Sequence, residues 1–443
     1  MKRVARIGGA AMLACVLFVA GGIGLSRSTD DGAGALAPTA ATADTLLAPA
    51  IGGSLEQIIE NLQSRLRVLP TDWQAYASLG LAYVQQARIT ADPSYYPKAQ
   101  GVLERSLGLE REDNFAAMVG MAALAAARHD FAGALQWGER AKAINPYNGN
   151  VYGVIGDAQV ELGRYEEAFA TFQQMVDTRP GVASYARVSY ARELMGDVFG
   201  SIEAMEAARD IAGTPADSSW ASYQLGELYF NRGNLGAARA AYARGVETDA
   251  DYVPPLAGLA KVAWARGHLR KAIAGYTDVV SRYPAPEYVI ALGDLYAVAG
   301  RADQADRQYS LVHAEEQLFR SNGVNIDLEL ALFDAAHGDP AGALAAARGE
   351  WAKRHSVLVA DAYAWALYAD ERYAEASLYA RKAMALGYRS ALFVFHAGMI
   401  QLRLGHDARA RRLLAEAVDI NPHFSIQYAS VARATLTKLG RPT

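Results

Sequence analysis

Residues 152–180 read YGVIGDAQVELGRYEEAFATFQQMVDTRP. An apolar run with Tyr152, Ile155 and Gly156 leads into a Gly163-Arg164-Tyr165 turn, followed by Ala168, Phe172 and a closing Pro180. Each element has a packing reason. Ala168 lets two helices cross closely, Gly156 leaves room for a bulky ring from the second helix, and Gly163 supplies a positive φ where the first helix ends. The stretch predicts an antiparallel helix hairpin that cannot bury its apolar face alone and must stack on neighbours.

The same clause recurs along the chain. Leu292-Gly293-Asp294-Leu295-Tyr296 with Gly300, Ala305 and Tyr309 repeats it, and Asp339-Pro340 forms an N-cap and N1 pair for a later copy. The small residue opening each second helix falls at Ala99, Ala134, Ala168, Ser201, Ala238, Ala272, Ala305, Ala343, Ala376 and Ala410, with successive gaps of 35, 34, 33, 37, 34, 33, 38, 33 and 34. A phase kept over that length predicts an all-α chain of about ten helix-turn-helix units whose core grows in one dimension. Repeat one carries about seven extra residues near Arg88 to Tyr95, and the junctions before repeats five and eight are lengthened, which predicts loops or helix extensions.

This pattern resembles the tetratricopeptide repeat (TPR) family, in which W-x2-L-G-x2-Y is followed by Ala, Phe/Tyr, Ala and Pro, and the resemblance covers residues 70–423. It implies an α-α superhelix, a right-handed solenoid of helix pairs with a concave groove that holds a protein or peptide partner. It also implies that first-helix positions 2, 5, 9, 12 and 13 face the groove. On that register the candidate partner-binding residues are Tyr190 and Glu193 in repeat four, and Trp220, Tyr223, Glu227, Phe230 and Asn231 in repeat five. Lys261 and Trp264 follow in repeat six, and Asp361, Trp365 and Tyr368 in repeat nine. Large aromatics at such positions bury much area at low entropy cost. Some family members grip a carboxylate tail with Lys, Asn and Arg from successive repeats. Here Arg187, Asn231 and Lys261 form no matching set, so the expected ligand is apolar or aromatic.

The flanks carry other signals. Lys2, Arg3 and Arg6 precede an uncharged apolar run from Ile7 to Leu25, so residues 1–25 read as a signal peptide or an N-terminal membrane anchor with the remainder exported. The run is close to the ~20 residues that span a bilayer, which favours an uncleaved anchor. Cys15, the single cysteine, lies inside this run behind Met12-Leu13-Ala14, a poor lipoprotein box, so the exported part forms no disulfide of its own. Residues 26–53 are rich in Ala, Thr, Gly, Pro and Asp and read as a flexible linker. Residues 54–69 predict a leading cap helix, with Ser54 as its cap and Leu55, Ile58, Ile59, Leu62, Leu66 and Leu69 as its apolar face. Residues 424–443 predict a C-terminal capping helix and tail.

Composition excludes several functions. The 443 residues are 52% hydrophobic and 20% charged with a net charge of −4, and no Lys/Arg block is present to bind nucleic acid or a membrane surface. No P-loop, G-x-S-x-G, S-x-x-K, H-E-x-x-H or G-x-G-x-x-G occurs, so no catalytic residue, cofactor or metal is expected. His129, His268 and His406 fall at turn positions and read as solvated, and His396 reads as packed near Phe393 and Phe395. The pairs Glu166-Glu167 and Glu315-Glu316 read as exposed helix faces. An enzyme would need convergent polar groups in a pocket, which the alanine-rich clause does not supply. The resulting expectation is a non-enzymatic, extracytoplasmic scaffold, anchored through residues 7–25 or released by cleavage, with an assembly factor for an envelope complex (cytochrome, pilus or outer-membrane type) as the narrower alternative.

Overall fold

The computed structural model describes residues 55–440, which form 22 helices and no strand. The segment 7–25, Cys15, the linker 26–53, Ser54 and the tail 441–443 lie outside the described residues. A leading helix α1 (Leu55–Val68) precedes ten hairpins. The first five are α2 (Trp73–Thr90) with α3 (Tyr95–Leu109), α4 (Phe115–Ala127) with α5 (Phe131–Ile144), α6 (Gly149–Glu161) with α7 (Tyr165–Thr178), α8 (Val182–Leu194) with α9 (Val198–Asp210), and α10 (Pro215–Asn231) with α11 (Leu235–Thr248). The second five are α12 (Pro254–Ala265) with α13 (Leu269–Arg282), α14 (Pro286–Val298) with α15 (Ala302–Ser321), α16 (Asp327–His337) with α17 (Pro340–Lys353), α18 (Val357–Ala369) with α19 (Tyr373–Ala383), and α20 (Ala391–Arg403) with α21 (Asp407–Ile420). A last helix, α22 (Tyr428–Leu439), ends the array. No helix among the described residues is long and apolar enough to cross a membrane.

Local chemistry sets these boundaries. Asp72, Asn114, Asp130, Asp197, Asn234, Asp339 and Ser390 accept a backbone N–H at helix starts. Gly163 closes its hairpin at φ 76°, as the clause requires, but His129 and Glu371 hold the same turn conformation at φ 61° and 60° without a glycine's freedom. The extra length is absorbed by helices: α2 runs on to Thr90 before the Asp92-Pro93 turn, α10 begins early at Pro215, and α15 reaches 20 residues. At the C-terminus the helix starts at Tyr428 rather than Phe424. Ser425 Oγ accepts from the backbone N–H of Gln427 and Tyr428, which holds the preceding residues in a turn.

Rings wedged against glycines carry the packing between neighbours. The Phe172 ring occupies the space where Gly156 has no side chain, and the fully buried Tyr242 lies between Gly226 of its own hairpin and Gly258 of the next, leaving no room for a methyl at either. In α1, Ile59 and Leu66 are buried, but Leu69 lies past the helix end and is exposed, because the helix stops at Val68 before Leu69 can join the stripe.

The array also closes on itself along its axis. Tyr283 Oη donates to Arg88 O (3.2 Å), Arg354 Nη1 to Glu161 Oε2 (2.8 Å), Val357 N to Tyr165 Oη (2.6 Å) and Asn421 Nδ2 to Phe230 O (2.9 Å). These partners are 195, 193, 192 and 191 residues apart. With repeats of roughly 34 residues, that spacing is between five and six units, so each turn of the superhelix packs on the turn before. Arg354 is the most heavily bound of these contacts. It is 3% exposed, binds Glu350 Oε2 (2.5 Å) as well as Glu161, and stands over the Phe131 ring (5.1 Å).

Arg354→Met leaves Glu161 buried without a cation and Glu350 with only Lys353 (3.5 Å), and a cost of about 3–5 kcal/mol in denaturant unfolding is expected. A loss under ~1 kcal/mol would show that the turns are not held together here.

Candidate partner-binding cavity

Closure of the superhelix leaves a cavity of ≈ 170 Å³ on its concave side. Its walls come from the first helices of repeats four to nine, the start of α20 with the residues before it, and the turn at 421–426. Of the residues projected from sequence, Tyr190, Glu193, Tyr223, Glu227, Phe230, Asn231, Lys261 and Trp264 line it together.

Four projected residues, Trp220, Asp361, Trp365 and Tyr368, stand apart. Trp220, near the start of α10, packs against Ala186, Ile202 and Met205 of repeat four and is 7% exposed. Trp365 is sandwiched between Tyr368 (4.4 Å) and His396 (4.0 Å), and its Nε1 donates to Tyr428 Oη (3.0 Å) of the terminal helix. The chain's own α22 thereby covers the face of repeat nine on which Trp365 and Tyr368 were projected. Asp361 is likewise engaged, 2.9 Å from His396 Nδ1 in the core.

The register missed repeats seven and eight. Glu287, Ile290 and Asp294 occupy positions 2, 5 and 9 of repeat seven, so the same projection would have found them there. Glu329, Leu332 and Phe333 add a wall from α16. Tyr388, Arg389, His423 and Phe424 come from the connecting segments on either side of the tenth hairpin, and Phe393 from the start of its first helix; they reach the cavity only through superhelical closure.

Several polar side chains converge on this largely apolar recess, which corrects the statement that convergent polar groups are lacking. Lys261 Nζ binds both oxygens of Glu227 (2.7 and 2.6 Å), Tyr242 Oη donates to the same carboxylate (2.6 Å), and the ammonium lies 4.4 Å from the Phe230 ring centre. Arg187 is held by both oxygens of Asp157 (2.8 and 2.7 Å). Two of the three residues weighed for a carboxylate grip are thus already ion-paired.

Burial raises the pKa of the other carboxylates in the cavity. Glu193 is pushed up to about 7 by burial and by nearby Glu227, against a hydrogen bond from Asn231. Glu329 is also pushed up to about 7 by burial, with Arg354 opposing, and burial raises Glu287. Asp294, 1% exposed, is raised by burial against its bonds to His337, Tyr309 and Gln427, and its Oδ2 has no hydrogen-bond partner.

Two exposure expectations also fail. His129 is half-buried, stacked on Phe131 (5.7 Å), and lowered to about 4 by burial and by Arg354, because the turn it closes packs beneath the next superhelical turn. Glu315 and Glu316 are half-buried, and Glu315 is pushed up to about 8 by burial and by Glu287. Glu166 and Glu167 are exposed, as are His268 and His406, while His396 is fully buried. No group of three or more potential metal ligands is found among the described residues.

These shifts give stability a defined pH dependence. The fold favours the protonated forms of Glu193, Glu329 and Glu315, so their contribution is full below the ordinary carboxylate range and is lost as pH rises through about 7 to 8. His129 acts oppositely, stabilising above its ordinary value and losing that contribution as pH falls through about 4. Thermal melts from pH 4 to 9 should show Tm falling on the alkaline side, and Glu315→Gln and Glu329→Gln should each flatten that limb. An unaltered limb in both variants would contradict the assignment.

Sequence and structure comparisons agree with the repeat reading. Tetratricopeptide repeat models match residues 258–309, and also 149–181 and 221–252. No curated protein matches the sequence. Among solved structures the chain is similar to the APC/C hetero-tetramer Cut9-Hcn1, at 14% identity over 90% of this chain and 83% of that one, with a TM-score of 0.43. It is also similar to a tetratricopeptide repeat protein from Parabacteroides merdae ATCC 43184 (16% identity, 59% and 99% coverage, TM-score 0.35) and to MamA (21% identity, 38% and 97%, TM-score 0.30). Tetratricopeptide repeats are thus matched in repeats three, five, six and seven, and the same hairpin packing is carried in phase from Trp73 to Ile420.

Proposed function

We propose that this protein is a non-catalytic scaffold of the cell envelope that holds a segment of a protein partner at the concave cavity. The repeats make it an interaction scaffold in the general sense of the family. The observation that carries the finer reading is the convergence of Tyr190, Tyr223, Phe230 and Trp264 with polar side chains around one recess, while the terminal helix covers the neighbouring face of repeat nine. Aromatic anchors in a recess with polar neighbours are the usual makings of a binding hot spot. A placement outside the cytoplasm is supported by Lys2, Arg3 and Arg6 before the apolar run Ile7 to Leu25. A helper in assembly of an envelope complex is one form such a scaffold would take.

A photo-crosslinking residue placed at the exposed rim position Arg389 should trap a discrete partner in cells, with the adduct lost when Trp264→Ala is added. The same label at Tyr147, 86% exposed and outside the cavity, should trap nothing discrete. Equal labelling at both positions would reject the cavity as the partner site. A phosphatase that folds only outside the cytoplasm, fused behind residue 60, should be active; an inactive fusion would reject the envelope placement.

A further inference from the structure

We propose that the cavity is a recess for one positively charged group, a lysine or arginine side chain presented by the bound partner segment. The inference rests on the binding reading above and adds the chemistry of what is bound.

Size limits the guest first. An apolar cavity of ~150 Å³ takes up benzene, so ≈ 170 Å³ is the room one long side chain needs.

Charge then selects among side chains. Glu193, Glu287, Asp294 and Glu329 face the recess. The one lysine in the wall, Lys261, is bound by both oxygens of Glu227, Arg389 lies at the exposed rim, and burial lowers the basicity of His423. An anionic guest would meet four carboxylates, and the basic groups beside them are already engaged, His337 with Asp294 Oδ1 (3.4 Å) and Arg354 with Glu161 and Glu350. An apolar guest would remove their water and offer nothing in return. A guest ammonium or guanidinium supplies the missing charge and the missing donors together.

An independent observation marks the acceptor. Asp294, almost fully buried in the wall, keeps Oδ2 without a partner while its Oδ1 takes Tyr309 Oη (3.0 Å) and Gln427 and lies 3.4 Å from His337 Nε2. A buried carboxylate oxygen left bare costs free energy until a donor reaches it. Trp264, Tyr288 and Phe230 provide ring faces, and Phe230 already accepts the Lys261 ammonium, so cations are accommodated in this wall. A metal ion is a poorer fit, since no cluster of three ligands is found among the described residues.

The test uses the full chain and capped peptides of the form Gly-Gly-Xaa-Gly-Gly, with Lys, Arg, Leu or Glu at Xaa, followed by calorimetry and tryptophan fluorescence. A second arm uses 1,5-diaminopentane as a free amine. The Lys and Arg peptides should bind at least about tenfold tighter than the Leu peptide, with the Glu peptide not bound. Glu287→Gln with Glu329→Gln should weaken the Lys peptide by about tenfold and leave the Leu peptide unchanged, in protein whose circular dichroism matches the parent. Diaminopentane binding tighter than any peptide would support the cation recess but overturn a partner side chain as its source. A Leu peptide equal to the Lys peptide overturns the charge assignment and leaves the binding cavity standing. If no probe binds, the proposal fails, and the crosslink from position 389 then decides whether the binding reading fails with it.

Discussion

Contact between successive turns of the superhelix fixes almost everything else about this molecule. A repeat array needs only neighbour-to-neighbour packing, and many such arrays would be open spirals with a solvent-filled groove. Here bonds recur at a nearly constant separation of 191 to 195 residues, so the turns stack and the inside of the spiral becomes an interior. Arg354 shows how strong the requirement is. Its charge lies among Glu161, Glu350 and Phe131, in a place that would be surface if the turns were apart. Such a buried pair adds little net stability, but separating its partners is expensive, so it opposes opening of the spiral more than it favours folding.

Closure also explains the site's electrostatics. Polar residues at groove positions are ordinary in an open solenoid, where water solvates them. When the groove becomes an interior, the same residues lose water and their protonation equilibria move, as seen for Glu193 and Glu329 at about 7. Glu227 avoids an orphaned position because Lys261, one repeat later at the same depth, reaches both of its oxygens. The wall therefore contains one neutralised pair beside several carboxylates that have none.

The sequence revealed what is local and hid what accumulates. The hairpins were legible because each wedge is complete within one or two repeats: Phe172 against Gly156, Tyr242 against Gly226 and Gly258. The groove register found eight wall residues for the same reason, since it follows from helical spacing alone. It failed for Trp220, which turns toward the preceding repeat, and for Trp365, which the terminal helix covers. Glu315 is influenced by Glu287 of its own hairpin, whereas His129 was misread as solvated because Arg354, Glu350 and Asn325, which act on it, lie in another superhelical turn. Small twists summed over five or six units decide that proximity, and no short motif records them.

The C-terminal turn shows why the cavity belongs to the whole array and not to repeats four to six alone. Asn421 Nδ2 donates to the carbonyl of Phe230 and Gln427 Nε2 reaches Asp294, so a segment outside the repeats joins α10 to α14 across the wall. Pro422 packs beside Gly233, at the turn that ends α10. These contacts exist only if every intervening hairpin holds its angle. A change in pitch anywhere between repeat five and the terminal helix would move the segment off Phe230 and Asp294 together and reopen the recess to water. Occupancy of the recess and the pitch of the superhelix are thus linked by the same few hydrogen bonds. A guest that satisfies Asp294 would stabilise the closed pitch, and by linkage the closed pitch would favour the guest.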